Sequence, residues 1–201
     1  MFTNTYVRAK LVENEQIENG AIIKQLKEVA PSLDDEVLLQ VYKASVSIRQ
    51  RKVQKNGSFL ENSIVTKMLD ANNIQYKQQV TIDKYGTIIG FGEKKKKCYH
   101  IVDFVVGDKV DIGTSIADCI VLSCKTTCRE RWTQDDWSYT LIPKLYILIT
   151  LSDDYPNSKR FRENTNRKIV TCNPKKKDSR KFVLGFEDII ADLTKSLSDT
   201  C

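Results

Sequence analysis

Apolar positions change their spacing twice along this chain. Through residues 1–56 they are sparse and helical in period. Ser32 is placed to cap a helix, with Asp35 three positions on to reach back to it, and Val37, Leu38, Val41, Tyr42, Ser45 and Ile48 then share one face. The string Arg49-Gln50-Arg51-Lys52-Val53-Gln54-Lys55 ends that face in positive charge, and Gly57 is expected to break the helix. A second helix is predicted from an N-cap at Ser58, with Phe59, Leu60, Ile64, Val65, Met68 and Leu69 as its apolar stripe, closing at Asn72-Asn73.

From Tyr76 the period falls to two. Strands are predicted over 76–82 and 87–91, joined by a turn at Lys84-Tyr85-Gly86. Further strands are predicted over 99–106, ending at Gly107, and over 117–125, where Ile120-Val121-Leu122 reads as buried on both faces. A helix over 126–141 and a strand over 144–151 follow. Residues 155–173 read as a basic, irregular section, and a strand over 181–184 and a helix over 186–197 complete the chain. No internal repeat is present. The order predicts a mixed α/β domain over 57–201, preceded by an N-terminal helical segment, 1–56, suited to dimerisation or to clasping a ligand.

Composition narrows the classes. A chain of 201 residues with 41% hydrophobic and 29% charged residues suits one soluble domain, and its net charge of +6 favours an anionic partner. The first ten residues hold no signal-peptide core, and the apolar run Leu145-Tyr146-Ile147-Leu148-Ile149 is too short to span a bilayer, so a cytoplasmic protein with no membrane partner is expected. The six cysteines include no CxxC pair and read as reduced thiols. Cys119, Cys124 and Cys128 are spaced too widely for a usual zinc site, and His100 is the only histidine, which argues against His-dependent catalysis.

Three ionisable groups stand where burial makes charge costly. Asp103 interrupts Ile101-Val102-Asp103-Phe104-Val105-Val106, Lys125 ends the 117–125 strand, and Glu61 lies in the first turn of the helix before the sheet. A buried carboxylate calls for a cation, and oxygen donors without a thiol or imidazole suit Mg²⁺. A lysine beside such a site can orient water or neutralise charge on a phosphorane. Each group also has a plainer reading. Glu61 completes a Ser58-x-x-Glu61 capping box, Asp103 can be satisfied by backbone amides, and Lys125 can snorkel from a strand end.

Asp103 followed by Ser123-Cys124-Lys125, with Glu61 on the preceding helix, resembles the PD-(D/E)XK nuclease core. The run Ser123-Cys124-Lys125-Thr126-Thr127-Cys128-Arg129-Glu130-Arg131-Trp132 resembles, more narrowly, the EcoRII/PspGI/NgoMIV branch of type II restriction endonucleases. There a serine stands two before the lysine and the displaced carboxylate comes from the next helix. The chain departs at that position, thirteen after the lysine, which holds Ser138; Asp135, one turn earlier, is the candidate replacement, whereas Asp136 points away.

The resemblance implies a restriction-endonuclease-like α/β core, a central mixed sheet flanked by helices. It implies Mg²⁺-dependent cleavage of double-stranded DNA at a short site containing CC/GG. Asp103 and Asp135 would hold the metal, Lys125 would act on the attacking water, and Glu61 and Ser123 would support them. A palindromic site favours a homodimer, and a restriction-modification system implies a cognate methyltransferase in a prokaryotic cytoplasm. A repair or junction nuclease on the same core is the alternative enzyme, and a DNA-binding module with a decayed site is the non-enzymatic one.

Arg129-Glu130-Arg131 would open the helix after the Lys125 strand, where positive charge opposes the helix dipole. Arginine can donate twice to guanine and glutamate can accept from cytosine, so the triplet suits adjacent G·C pairs, the role its counterpart has in the resembled branch. A salt-bridged surface turn is the plainer reading. Trp132 reads as core packing. Lys94 to Lys97 and the basic residues between Lys159 and Lys168 would add phosphate contacts or simply face solvent.

Overall fold

The structure is a computed structural model that describes residues 3–29, 35–92, 99–126, 142–152, 166–172 and 182–198. Its centre is a seven-stranded mixed sheet: β1 (Tyr76–Ile82), β2 (Ile88–Phe91), β3 (His100–Val106), β4 (Ile120–Lys125), β5 (Leu145–Thr150), β6 (Arg167–Thr171) and β7 (Val183–Leu184), in the order β2-β1-β3-β4-β5-β6-β7. The β2-β1-β3-β4 half is antiparallel and the β4-β5-β6-β7 half parallel. β4, shared by both halves, and β5 are apolar on both faces, as strands inside a parallel sheet are.

Helices α1 (Asn4–Val29), α2 (Asp35–Phe59), a π-helical turn (Leu60–Val65) and α3 (Thr66–Ala71) precede the sheet, and α4 (Ile189–Ser198) follows it. Leu60, Ile64, Met68 and Leu69 pack with Phe104, Leu122, Ile147, Ile149, Phe186 and Leu193 in one core cluster that also takes in Val7 from the start of α1. Val80, Ile82, Val102, Val105, Val121 and Leu148 form the second cluster, on the opposite face, beneath Val110 and Ile116 of the β3–β4 connection. Asn4 ties α1 to the C-terminal region: its backbone and side-chain N–H groups donate to the Glu187 carboxylate, and its Oδ1 accepts the Phe186 N–H at 3.0 Å.

The mixed α/β layout is as expected, with three corrections. The helix does not break at Gly57. Its segments run into one another as far as Ala71, and the αR backbone of Phe59 and Val65 at the junctions shows why no cap is needed. Ser58 therefore lies inside a helix, where its Oγ accepts from Asn62, and the capping box with Glu61 does not form. The section expected to be irregular contains β6, whose Ile169, Val170 and Thr171 are buried. Residues 116–118 form a 3-10 turn, so β4 begins at Ile120.

The turn after β1 forms as expected: Asp83 Oδ1 accepts from the N–H groups of Tyr85 and Thr87, each at 2.9 Å, and Gly86 takes φ +82°. The expected cap at Ser32 and the helix expected beyond Thr126 fall outside the described residues. No helix among the described residues is long and apolar enough to cross a membrane.

Candidate active site

Regular strands present every second residue to the same face, and two neighbouring strands here break that rule side by side. Val102 belongs to one core cluster and Phe104 to the other, so β3 changes face at Asp103. β1 changes face at Gln79, because Tyr76 packs with the first cluster and Val80 with the second. The pairs Gln78–Phe104 and Val80–Val102 flank the irregularity, which sets Gln79 and Asp103 opposite one another. Gln79 is also at φ +49°, a left-handed conformation costly for a residue with a Cβ.

At the same point β3 parts from β4. Their ladder covers Phe104 to Val106 and no further, and the Asp103 carboxylate takes over where it ends. Asp103 Oδ2 accepts the Cys124 N–H at 2.7 Å and the Ser123 hydroxyl at 3.3 Å, and lies 3.5 Å from Lys125 Nζ. Thus the two readings of Asp103 are both realised: it is satisfied by a backbone amide and it faces a cation. Lys125 reaches back over the sheet to it, with 27% of its side chain exposed, against 16% for Asp103.

Glu61 approaches from above. The π turn is closed by Thr66, whose N–H and hydroxyl both donate to the Glu61 carbonyl, the hydroxyl at 2.8 Å. Gln78 Nε2 donates to Thr66 Oγ1 at 3.0 Å and so fastens this turn to β1. Such turns often occur at functional sites. Burial, then the nearby Asp103 charge, raise the Glu61 carboxyl from its usual 4.5 to about 7, with Lys125 opposing the shift. Gln79 Nε2 lies 3.4 Å from Glu61 Oε2 and donates to it. Burial, followed by the same two carboxylates, pushes the Cys124 thiol well above its ordinary value, so it stays neutral.

The sheet and the π turn therefore bring Asp103, Ser123, Lys125 and Glu61 together. Arg129, Glu130, Arg131, Trp132, Asp135, Asp136 and Ser138 lie outside the described residues, as do Cys128 and the 94–97 lysines. Of the basic section, Arg167 sits over the Tyr146 ring at 5.9 Å and Lys168 is ion-paired with Asp192, so Lys168 is engaged within the fold rather than held out as a bare surface cation. Cys119 and Cys124 belong to core clusters on opposite faces. Gln79 was not singled out from the sequence; the only hint is a polar Gln78-Gln79 pair where β1 turns apolar.

Among the described residues no three acidic, cysteine or histidine groups form a metal-sized cluster. Two carboxylates of different reach remain, and they fit Mg²⁺ by donor chemistry, because this ion keeps several waters and needs few protein oxygens. The three Asp103 contacts all use Oδ2, and Glu61, raised first by burial and then by the Asp103 charge, places a second carboxyl near it.

No protein-family model and no curated protein matches the chain. A solved structure titled "Crystal Structure of Protein of Unknown Function AF1548" is similar at 11% identity with a TM-score of 0.40. The match covers 68% of this chain and 66% of that one, just under two thirds of its length.

Proposed function

We propose that the chain is a Mg²⁺-dependent nuclease of the PD-(D/E)XK type that hydrolyses phosphodiester bonds in double-stranded DNA. The observation that carries this reading is Asp103. Its carboxylate is fixed by the Cys124 amide, faces the Lys125 ammonium at 3.5 Å, and stands under Glu61 at the opening between β3 and β4. A carboxyl raised by burial and a neighbouring carboxylate, with a lysine beside it, is the kind of perturbed group that marks a candidate functional site.

In this reading Asp103 holds the metal together with a carboxylate after β4, for which Asp135 is the candidate. Bound there, Mg²⁺ supplies a Lewis acid for the phosphoryl oxygens and the water. Lys125 orients the attacking water and donates to a non-bridging phosphate oxygen as negative charge grows. The water oxygen forms its bond to phosphorus while the bond to the departing deoxyribose oxygen breaks. Glu61, already shifted toward neutral pH, suits proton exchange with that water network. Ser123 fixes the rotamer of Asp103 through its hydroxyl.

Sequence specificity belongs to the resemblance. It assigns a CC/GG-containing site to Arg129, Glu130 and Arg131, with a homodimer acting on both strands and a methyltransferase protecting host DNA.

The test is cleavage of unmethylated plasmid and phage DNA in Mg²⁺, beside EDTA and Lys125→Ala, with the fragment ends sequenced. Discrete fragments sharing one short site, lost at least about 100-fold in both controls, are expected for removal of a charge-stabilising donor. Cleavage confined to branched DNA would instead favour a junction nuclease. DNA bound but left intact under every divalent metal would favour the decayed module.

A further inference from the structure

We infer that Gln79 is a positioning residue of this site, holding the Glu61 carboxyl against Asp103. The inference deepens the nuclease reading and rests on it for the meaning of "site", but three observations about Gln79 stand without it.

First, its backbone is left-handed at φ +49° within a strand, a conformation that glycine adopts freely and glutamine does not. Retaining a side chain there needs a use for that side chain. Second, the strained residue lies opposite Asp103, at the paired point where β1 and β3 both change face. A regular β1 would send residues 76, 78 and 80 to one face, whereas here Val80 crosses to the other cluster from Tyr76. Third, the exposed carboxamide uses its freedom in one direction: Nε2 donates to Glu61 Oε2, and the Gln79 carbonyl accepts the Gly92 N–H at 2.9 Å. The strand edge thus anchors the backbone on one side while the amide meets the carboxylate on the other.

A carboxamide has a donor end and an acceptor end. With the donor on Glu61, the acceptor Oε1 remains for a water or a nucleotide group in the same opening. Glutamate at this position would place a second negative charge against Glu61, and alanine would remove the contact while keeping the backbone cost. Glycine would remove both.

The experiment uses the full chain and four variants: Gln79→Ala, Gln79→Gly, Gln79→Glu and Glu61→Gln. The Gln79 side-chain amide is assigned in ¹⁵N–¹H spectra by its absence from Gln79→Ala. It is expected to shift in Glu61→Gln; an unmoved resonance overturns the inference, whether or not the protein cuts DNA.

Cleavage rates and thermal midpoints are then compared. Gln79→Ala and Gln79→Gly are expected to lose about tenfold in kcat with KM for DNA little changed, as for an interaction felt in the transition state. Gln79→Gly should do so with an equal or higher melting temperature than the unaltered chain. Loss of activity only in step with loss of melting temperature would make Gln79 a structural residue and overturn the proposal. An unaltered chain that cuts no DNA, with the amide shift present, would overturn the nuclease reading and leave the Gln79–Glu61 coupling established.

Discussion

Glu61 carries a proton across a range where most glutamates have lost theirs, and the sign of the consequence follows from the direction of that shift. Its carboxyl is raised to about 7 in the fold against an ordinary 4.5, chiefly by burial and then by Asp103. The folded state therefore binds this proton more tightly than the unfolded chain. The stabilisation is fully present below pH 4.5 and is lost as pH rises through 7. In EDTA the melting temperature should fall between pH 5 and 8, and Glu61→Gln should flatten that part of the profile. An unchanged slope in the variant would remove Glu61 as its source. Under the proposed nuclease reading, Mg²⁺ held at Asp103 should bind more tightly as the pH rises, because a Glu61 that has released its proton adds negative charge near the ion.

At the level of elements, the unbroken passage from α2 through the π turn into α3 makes Gly57 a helix-interior glycine with open space around its Cβ position. Gly57→Ala should therefore stabilise the protein by about 1 kcal/mol. A calorimetric midpoint a few degrees higher would show it, and a lower midpoint would mean that flexibility at this point is used.

The sequence misled here for a definite reason. Glycine after a basic run and serine before an apolar stripe are local signals for a helix end and start, but the stripe Leu60, Ile64 and Met68 packs on the sheet and keeps the chain helical through them. β6 was hidden in the opposite way. Arg167 and Lys168 gave its first half the look of a solvated charge run, whereas the Tyr146 ring and Asp192 receive those charges. The strands over 76–82, 88–91, 100–106 and 145–150 were legible because each carries apolar positions bounded by polar or glycine turns. Asp103 and Lys125 were legible because a charge inside an apolar run is conspicuous. Gln79 was not, since its role lies in a backbone angle and a change of face that no side-chain pattern records.

Across the whole molecule, the antiparallel and parallel halves of the sheet share β4, and the candidate chemistry stands where they meet. Asp103 serves both sheet and site, for its carboxylate takes the N–H of the buried Cys124 where the β3–β4 ladder ends. Asp103→Ala should cost about 1–3 kcal/mol by leaving that amide unsatisfied. Lys125→Ala removes the cation facing Asp103 but leaves the Cys124 amide satisfied, and should cost less than Asp103→Ala. Equal losses of stability in the two variants would contradict this division of labour. The consequence is historical as much as physical. Under the proposed nuclease reading, a descendant that lost the activity would be freer to change Lys125 than Asp103, which the closing of the sheet would still hold in place. An aspartate retained at this position in a sequence would then be a record of the fold, and the lysine the better witness to the proposed activity.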